Sequence, residues 1–230
     1  MARRRVNTTK LEIIQAAARM FLEKGYSATS IKAIADTLDM STGHLTFYFP
    51  TKEHLLAELV DMLCNFRWKR MEEEADEGLC SVMARCLELT SMASASEADE
   101  VIRDFLLSIY TSPMCLAIVR KHDMERAKRA FASYRPEWTE EQFAEAELLC
   151  SGIAYATLMT VGSTVPLKRR IAGALDHILG IYGVPEEVRK TKMQKVCSLD
   201  YEHLGKQVIG EFREYVELAN EQAFLKLLKR

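Results

Sequence analysis

Apolar residues recur along this chain at three- and four-residue intervals, the period of one face of a helix, and no strand pattern or internal repeat stands out. Thr9-x-x-Glu12 reads as a capping box for a first helix with Leu11, Ile14, Ala18, Phe21 and Leu22 on one face and Gly25 as its exit. Ile31, Ile34, Ala35 and Leu38 mark a second helix, interrupted at Asp39-Met40. Ser41 is a good N-cap for a third, short helix that turns Leu45 and Phe49 inward and stops at Pro50. Thr51 caps a fourth helix from about Lys52 past Trp68, with Leu55, Leu59, Met62 and Phe66 as its inner stripe. It closes in the charged run Lys69–Glu77 and at Gly78.

The remainder also reads as helix. One stripe holds Leu79, Val82, Met83, Cys86 and Leu87, and a cap-like Ser96-x-x-Asp99 precedes Val101, Ile102, Phe105, Leu106, Ile109 and Tyr110. Ser112-Pro113 begins a helix with Leu116, Ile118 and Val119 that turns polar from Arg120 to Arg129. Thr139 and Gln142 form a capping box, with Trp138 and Phe143 as its staple. The helix they open carries small residues from Cys150 to Ala156. Pro166 opens another with Ile171, Leu175, Ile178, Leu179 and Tyr182, a short polar helix follows Gly183-Val184-Pro185, and a last one covers about 200–228. The expected fold is all-α, with a three-helix head at 1–54 and a larger helical body at 55–230. The fourth helix links the two.

Two short helices, a tight turn and a stop match the helix-turn-helix plan, in which the second helix enters the DNA major groove. A plain helical hairpin fits the same geometry. The detailed pattern favours DNA. Thr29-Ser30-Ile31-x-x-Ile34-Ala35, then Met40-Ser41-x-Gly43-x-Leu45-x-x-Tyr48-Phe49-Pro50-x-Lys52-Glu53-x-Leu55, resembles the signature of the tetracycline-repressor (TetR) family. Ile14-x-Ala16-Ala17-x-x-Met20-Phe21-x-x-x-Gly25-Tyr26 is similar to that family's first helix. The resemblance covers about residues 8–60 and implies an operator-binding regulator.

In that plan Thr42, His44 and Phe47 face base edges, with Phe47 suited to a thymine methyl. Ser41 caps the reading helix, and Gly43 allows close approach. Thr29, Ser30, Tyr48 and Lys52 are placed for phosphate, where helix N-termini at Ser30 and Lys52 add N–H donors. The resemblance implies the same backbone role at Tyr48 and Lys52. Thr46 departs from the family's usual aromatic, and Phe47 stands where a polar residue or histidine is commoner. Both put the operator sequence in doubt.

Composition refines this picture. The net charge is −2, but residues 1–54 carry eight Lys/Arg against five Asp/Glu, while the rest carries 23 against 28. A basic head on an acidic body suits contact with phosphate at one end. Arg3, Arg4 and Arg5 read as a mobile basic arm or a solubilising tail. No apolar run of membrane-spanning length and no signal-peptide pattern occur, so a cytoplasmic location is expected. The six cysteines form no C-x-x-C pair and read as buried hydrophobes, and the five histidines show no metal-ligand spacing. Neither a glycine-rich phosphate loop nor a hydrolase motif is present; no catalytic residue, metal or cofactor is expected.

One reading module makes few contacts, so tight binding calls for a homodimer on a palindromic operator. The resemblance implies dimerisation through two C-terminal helices, here about 139–162 and 166–182, with 200–228 sharing or covering the interface. The small-residue run favours that pair, although burial within one chain explains it too. The resemblance also implies a small-molecule effector in the body that changes the separation of the two heads by moving the helix after Pro113 and the fourth helix. A lining of Met83, Leu87, Phe105, Ile109, Met114, Tyr155 and Met159 would suit an apolar or aromatic ligand, and the same stripe serves as plain core. No charge cluster names a ligand. A competing reading is a helical protein-interaction module whose helix-turn-helix has lost DNA binding.

Overall fold

In the computed structural model, which describes residues 2–76 and 80–219, every regular element is a helix among the described residues. The head comprises α1 (Ala2–Lys24), α2 (Ile31–Asp36), α3 (Thr42–Tyr48) and the start of α4 (Lys52–Asp76). Helix α1 begins earlier than the sequence suggests, so the backbone of Arg3, Arg4 and Arg5 is helical rather than a loose arm. Thr9 and Glu12 are interior positions rather than a capping box. No proline or glycine precedes Thr9, and alanine and arginine favour helix there. Gly25 ends α1 at φ +94°, a conformation that favours glycine, and a Cβ at this position would stand 2.9 Å from the Asp104 carboxylate.

The head's core is the expected one. Ile14, Phe21, Ile34, Leu45 and Phe49 are buried, with Ile31 and Leu38 packed at its edge. Leu55, Leu59, Met62 and Phe66 bury the inner face of α4. The expected terminator Gly78, with its neighbours 77 and 79, lies outside the described residues.

The body is arranged around α5 (Ser81–Ala98), which packs against α4, α6 (Glu100–Thr111), α7 (Pro113–Phe131), α8 (Glu140–Met159), α9 (Leu167–Ile181), α10 (Glu186–Cys197) and α11 (Tyr201–Glu217). Residues small enough for such crowding fill it, and its buried hydroxyls are satisfied locally: Thr90 donates to the Cys86 carbonyl and Ser94 to that of Thr90, each at 2.7 Å. Ser96 lies inside α5 and donates to the Leu158 carbonyl at 2.7 Å. The cap of α6 is therefore Asp99, whose carboxylate accepts from the Val101 and Ile102 amides. Ser112 caps α7 ahead of Pro113, and the Thr139/Gln142 capping box forms with Trp138 edge-on to Phe143 at 5.2 Å.

Helix α11 commits its apolar face within the monomer. Val208, Ile209, Phe212 and Val216 are buried, and Gly205 meets α5 so closely that a Cβ would lie 2.7 Å from the Ala95 amide nitrogen. Its apolar face therefore covers the body. Residues 220–228 of the expected helix lie outside the described residues. No single described helix is long and apolar enough to cross a membrane.

Candidate nucleic-acid interface and body cavity

Helix α3 shows its two sides clearly. Leu45 and the C-cap Phe49 point into the core, while Thr42, Gly43, His44 and Phe47 are exposed, Phe47 to 78%. Ser41 holds the start of the helix by accepting the His44 amide at 3.1 Å, and Ser30 does the same for α2 through Ala33. The turn between them passes through Asp39 at φ +50°. Nothing lies within 4 Å of a Cβ built on Gly43, so its surroundings are open to a partner. Tyr48 is half-buried between two outward rings, with centroids 5.4 Å from His44 and 5.3 Å from Phe47. Thr46 turns its hydroxyl back to the Gly43 carbonyl at 3.2 Å.

Two of the expected phosphate contacts are corrected. Thr29 is 2% exposed and donates its hydroxyl to the Gly25 carbonyl at 2.7 Å, so it closes the loop after α1. Lys52 donates to the Tyr26 and Thr29 carbonyls, each at 2.8 Å, with its ammonium 4.1 Å from the centre of the Tyr26 ring. Burial lowers the pKa of this amine. It clasps the α1–α2 loop to α4 rather than waiting free. The head is also tied to the body at points the sequence did not mark. Ser112 donates to the Glu53 carboxylate, the Ser27 amide donates to Asp104 at 2.8 Å, and Gln15 reaches the Val216 and Glu217 carbonyls at 3.1 Å.

The model of the N-terminal domain of "Bacterial regulatory proteins, tetR family" matches residues 13–59, which hold α2, α3, both serine caps and the α4 start. The head belongs to the TetR family. It is similar to the probable helix-turn-helix transcriptional regulator YttP of Bacillus subtilis, 38% identical over 58 residues that make up 24% of this chain and 28% of that protein. The transcriptional repressor KstR2 of Mycobacterium tuberculosis is 32% identical over 71 residues, 31% of this chain and 36% of the relative. These alignments thus span about a third of the curated relatives or less. The fold continues further. The full-length TetR regulator TylP of Streptomyces fradiae superposes on 92% of this chain and 98% of its own, with TM-score 0.50 and 20% identity.

Behind the TetR head, the body encloses a cavity of about 70 Å³ bounded by α4 to α9. Leu106, Ile109, Leu158, Leu175, Ile178 and Leu179 form much of its apolar wall. Of the residues expected to line it, Ile109 does. Met83 and Phe105 are closed into the core, and Leu87 borders a smaller groove beside Phe66. Met114 and Tyr155 stand at the surface, 38% and 39% exposed, and Met159 is half-buried outside the cavity. Helical period alone could not separate these faces, least of all on α8, which is apolar over more than one side.

The largest departure is a cluster of charges at one end of the cavity. Arg67 of α4 and Arg85 of α5 contact Glu88, and Arg126 of α7 contacts Asp123 and lies 3.2 Å from Glu88. Arg126 is 0% exposed and donates to the Cys64 carbonyl at 3.1 Å. Burial, then the nearby Arg67, lowers its pKa to about 9. Burial would raise the Glu88 carboxyl, but the three guanidiniums together outweigh it and hold Glu88 below the ordinary carboxylate range. The stretch that turns polar after Arg120 therefore faces inward at Asp123 and Arg126. Four of the six cysteines are buried as expected, but Cys80 is exposed, with Lys192 Nζ 2.9 Å from its sulfur.

Proposed function

We propose that the protein is a sequence-specific DNA-binding transcriptional regulator that binds a palindromic operator as a homodimer and releases it when a small molecule occupies the body. The exposed row Thr42, Gly43, His44 and Phe47 on α3 carries this reading. A short helix with its apolar side anchored and its outer side clear of other parts of the fold can lie in the major groove. Thr42 and His44 then hydrogen-bond base edges and Phe47 packs on a thymine methyl. Ser30 and the amides at the start of α2 and α4 remain available for phosphate, while Lys52 and Thr29 keep those amides in place.

The dimer is supported by an outward apolar row on α8. Leu148, Leu149, Gly152, Tyr155 and Ala156 are exposed at helical spacing, with Leu149 exposed to 59%. A second copy is a natural cover for such a row. Coupling follows from α4, which has Lys52 in the head and Arg67 in the cavity wall, and from α7, whose cap Ser112 is bonded to Glu53. The cavity is smaller than the roughly 300–1,000 Å³ of most small-molecule sites. An effector of ordinary size must part the helices, and it shifts the equilibrium by as much as it prefers the parted state.

Selection of bound sequences from random duplex DNA tests the reading. A palindromic motif, affinity that falls steeply with salt through counterion release, and altered base preference in His44→Ala are the expected results. Salt-insensitive association, or a chain that is monomeric on DNA, would count against it.

A further inference from the structure

We propose that the body cavity takes an organic carboxylate, with the anionic head on the Arg85 guanidinium and an apolar body lying along Leu106, Ile178 and Leu179. This rests on the reading of the body as the effector-binding part and names the class of effector. Two guanidiniums, Arg67 and Arg85, line the cavity, Arg126 joins their cluster from behind the wall, and two carboxylates, Glu88 and Asp123, are in ion-pair contact with the three. The third carboxyl, Glu147 on α8, is 3% exposed and lines the cavity, but no arginine or lysine pairs with it among the described residues; it accepts the Tyr182 hydroxyl at 2.9 Å. The paired cluster thus carries one cation more than it has anions. Burial raises the Glu147 pKa, against the opposing pull of Arg85.

The placement of the cluster also argues for a ligand. A buried ion group that served stability alone could be replaced by apolar side chains of similar size without loss. Arg126 is the filler of such a group, at 0% exposure, but Arg67 and Arg85 border the empty space and keep 13% and 14% of their side-chain surface. Arg85 pairs with Glu88 and lies 3.8 Å from Asp123, and its charge is stabilised, against burial, by Glu88 and then Glu147. A ligand carboxylate can bind its planar face edge in two parallel hydrogen bonds. Much of the remaining lining is apolar, with Leu106, Ile109, Leu158, Leu175, Ile178 and Leu179, which a polar ligand without an apolar body would waste.

The test uses the full chain without DNA. Butanoate, octanoate and 2-naphthoate are compared with their neutral amides and with octylamine by calorimetry and thermal shift. At least one carboxylate should bind, at least about tenfold tighter than its amide, with octylamine not binding. Arg85→Met should remove that preference, and Ala154→Phe, which fills the apolar side, should weaken acid and amide alike. Equal binding of acid and amide, tighter binding of the amine, or no binding by any of the carboxylates would overturn the proposal. The acid–amide comparison on the unaltered protein decides the matter even if Arg85→Met does not fold. Failure here leaves the operator reading intact, since no DNA enters the assay, and failure of operator binding leaves this measurement unchanged.

Discussion

In the TetR head an aromatic ring, Phe47, stands 78% exposed; in the body a guanidinium, Arg126, stands fully enclosed. Each reverses the usual placement of its residue type. The two reversals differ in what sustains them. An exposed ring on α3 costs the folded chain little, because single apolar residues on a surface are common. It needs no partner within the molecule. An enclosed guanidinium is tolerated only with counterions and acceptors around it, and Arg126 has Asp123, Glu88 and the Cys64 carbonyl. The head's exception is thus free to act on an outside partner, whereas the body's exception binds α4, α5 and α7 into one unit at the cavity.

The largest expected effect breaks the body's side of this comparison. Arg126→Met deprives the buried Asp123 of its nearest guanidinium, Glu88 of one of three and the Cys64 carbonyl of its donor, and should lower unfolding free energy by about 3–5 kcal/mol in urea titrations. Adding Asp123→Leu should restore part of that loss, and no recovery would mean that the cluster does not act as a unit. The head should respond differently. His44→Ala and Phe47→Ala should each change discrimination between operator bases by about 1–3 kcal/mol in competition binding, with stability altered by no more than about 0.5 kcal/mol. Substantial destabilisation by Phe47→Ala would show that the edge contact with Tyr48 at 5.3 Å holds the head together despite the ring's exposure.

Lys52→Met lies between the two cases, since Lys52 is half-buried and holds the α1–α2 loop. It should cost about 1–2 kcal/mol of stability and weaken binding to all DNA sequences together. Unchanged thermal stability with weakened DNA binding would return Lys52 to a phosphate role. The smallest effect sharpens the view of Glu147. Burial holds its carboxyl above the ordinary value of 4.5, so the folded protein keeps this proton where the unfolded chain has lost it. Wild-type stability should therefore fall relative to Glu147→Gln as pH rises from that ordinary value to the raised one, and the gap should stay constant above it. A gap that widens on acidification would contradict this assignment.

Much of the head was legible because its signals are local. A cap such as Ser30 or Ser41 acts on an amide three residues away, and so do Ser112 and Thr139 in the body. Spacing over one or two turns was enough to turn Leu45 inward and Phe47 outward. Legibility failed where one side chain had two plausible tasks. Thr29 and Lys52 carry polar groups suited to phosphate, yet both meet loop carbonyls that the fold of α1 onto α4 brings within reach. Ser96 and Asp99 could each cap α6, and only packing of α5 on α8 gave Ser96 another acceptor, the Leu158 carbonyl.

By itself, the order of apolar and polar residues determined that the chain is helical, where most helices start, and which side of α3 faces out, because these depend on contacts within a turn or two of backbone. The tertiary structure alone decided that Met114 and Tyr155 lie outside, that Arg67, Arg85, Glu88, Asp123 and Arg126 meet inside, and that α11 is used up against α5. The physical reason is that a cavity wall is assembled from single faces of six helices. Which face each helix turns toward it depends on all the others, and no window of sequence contains that information.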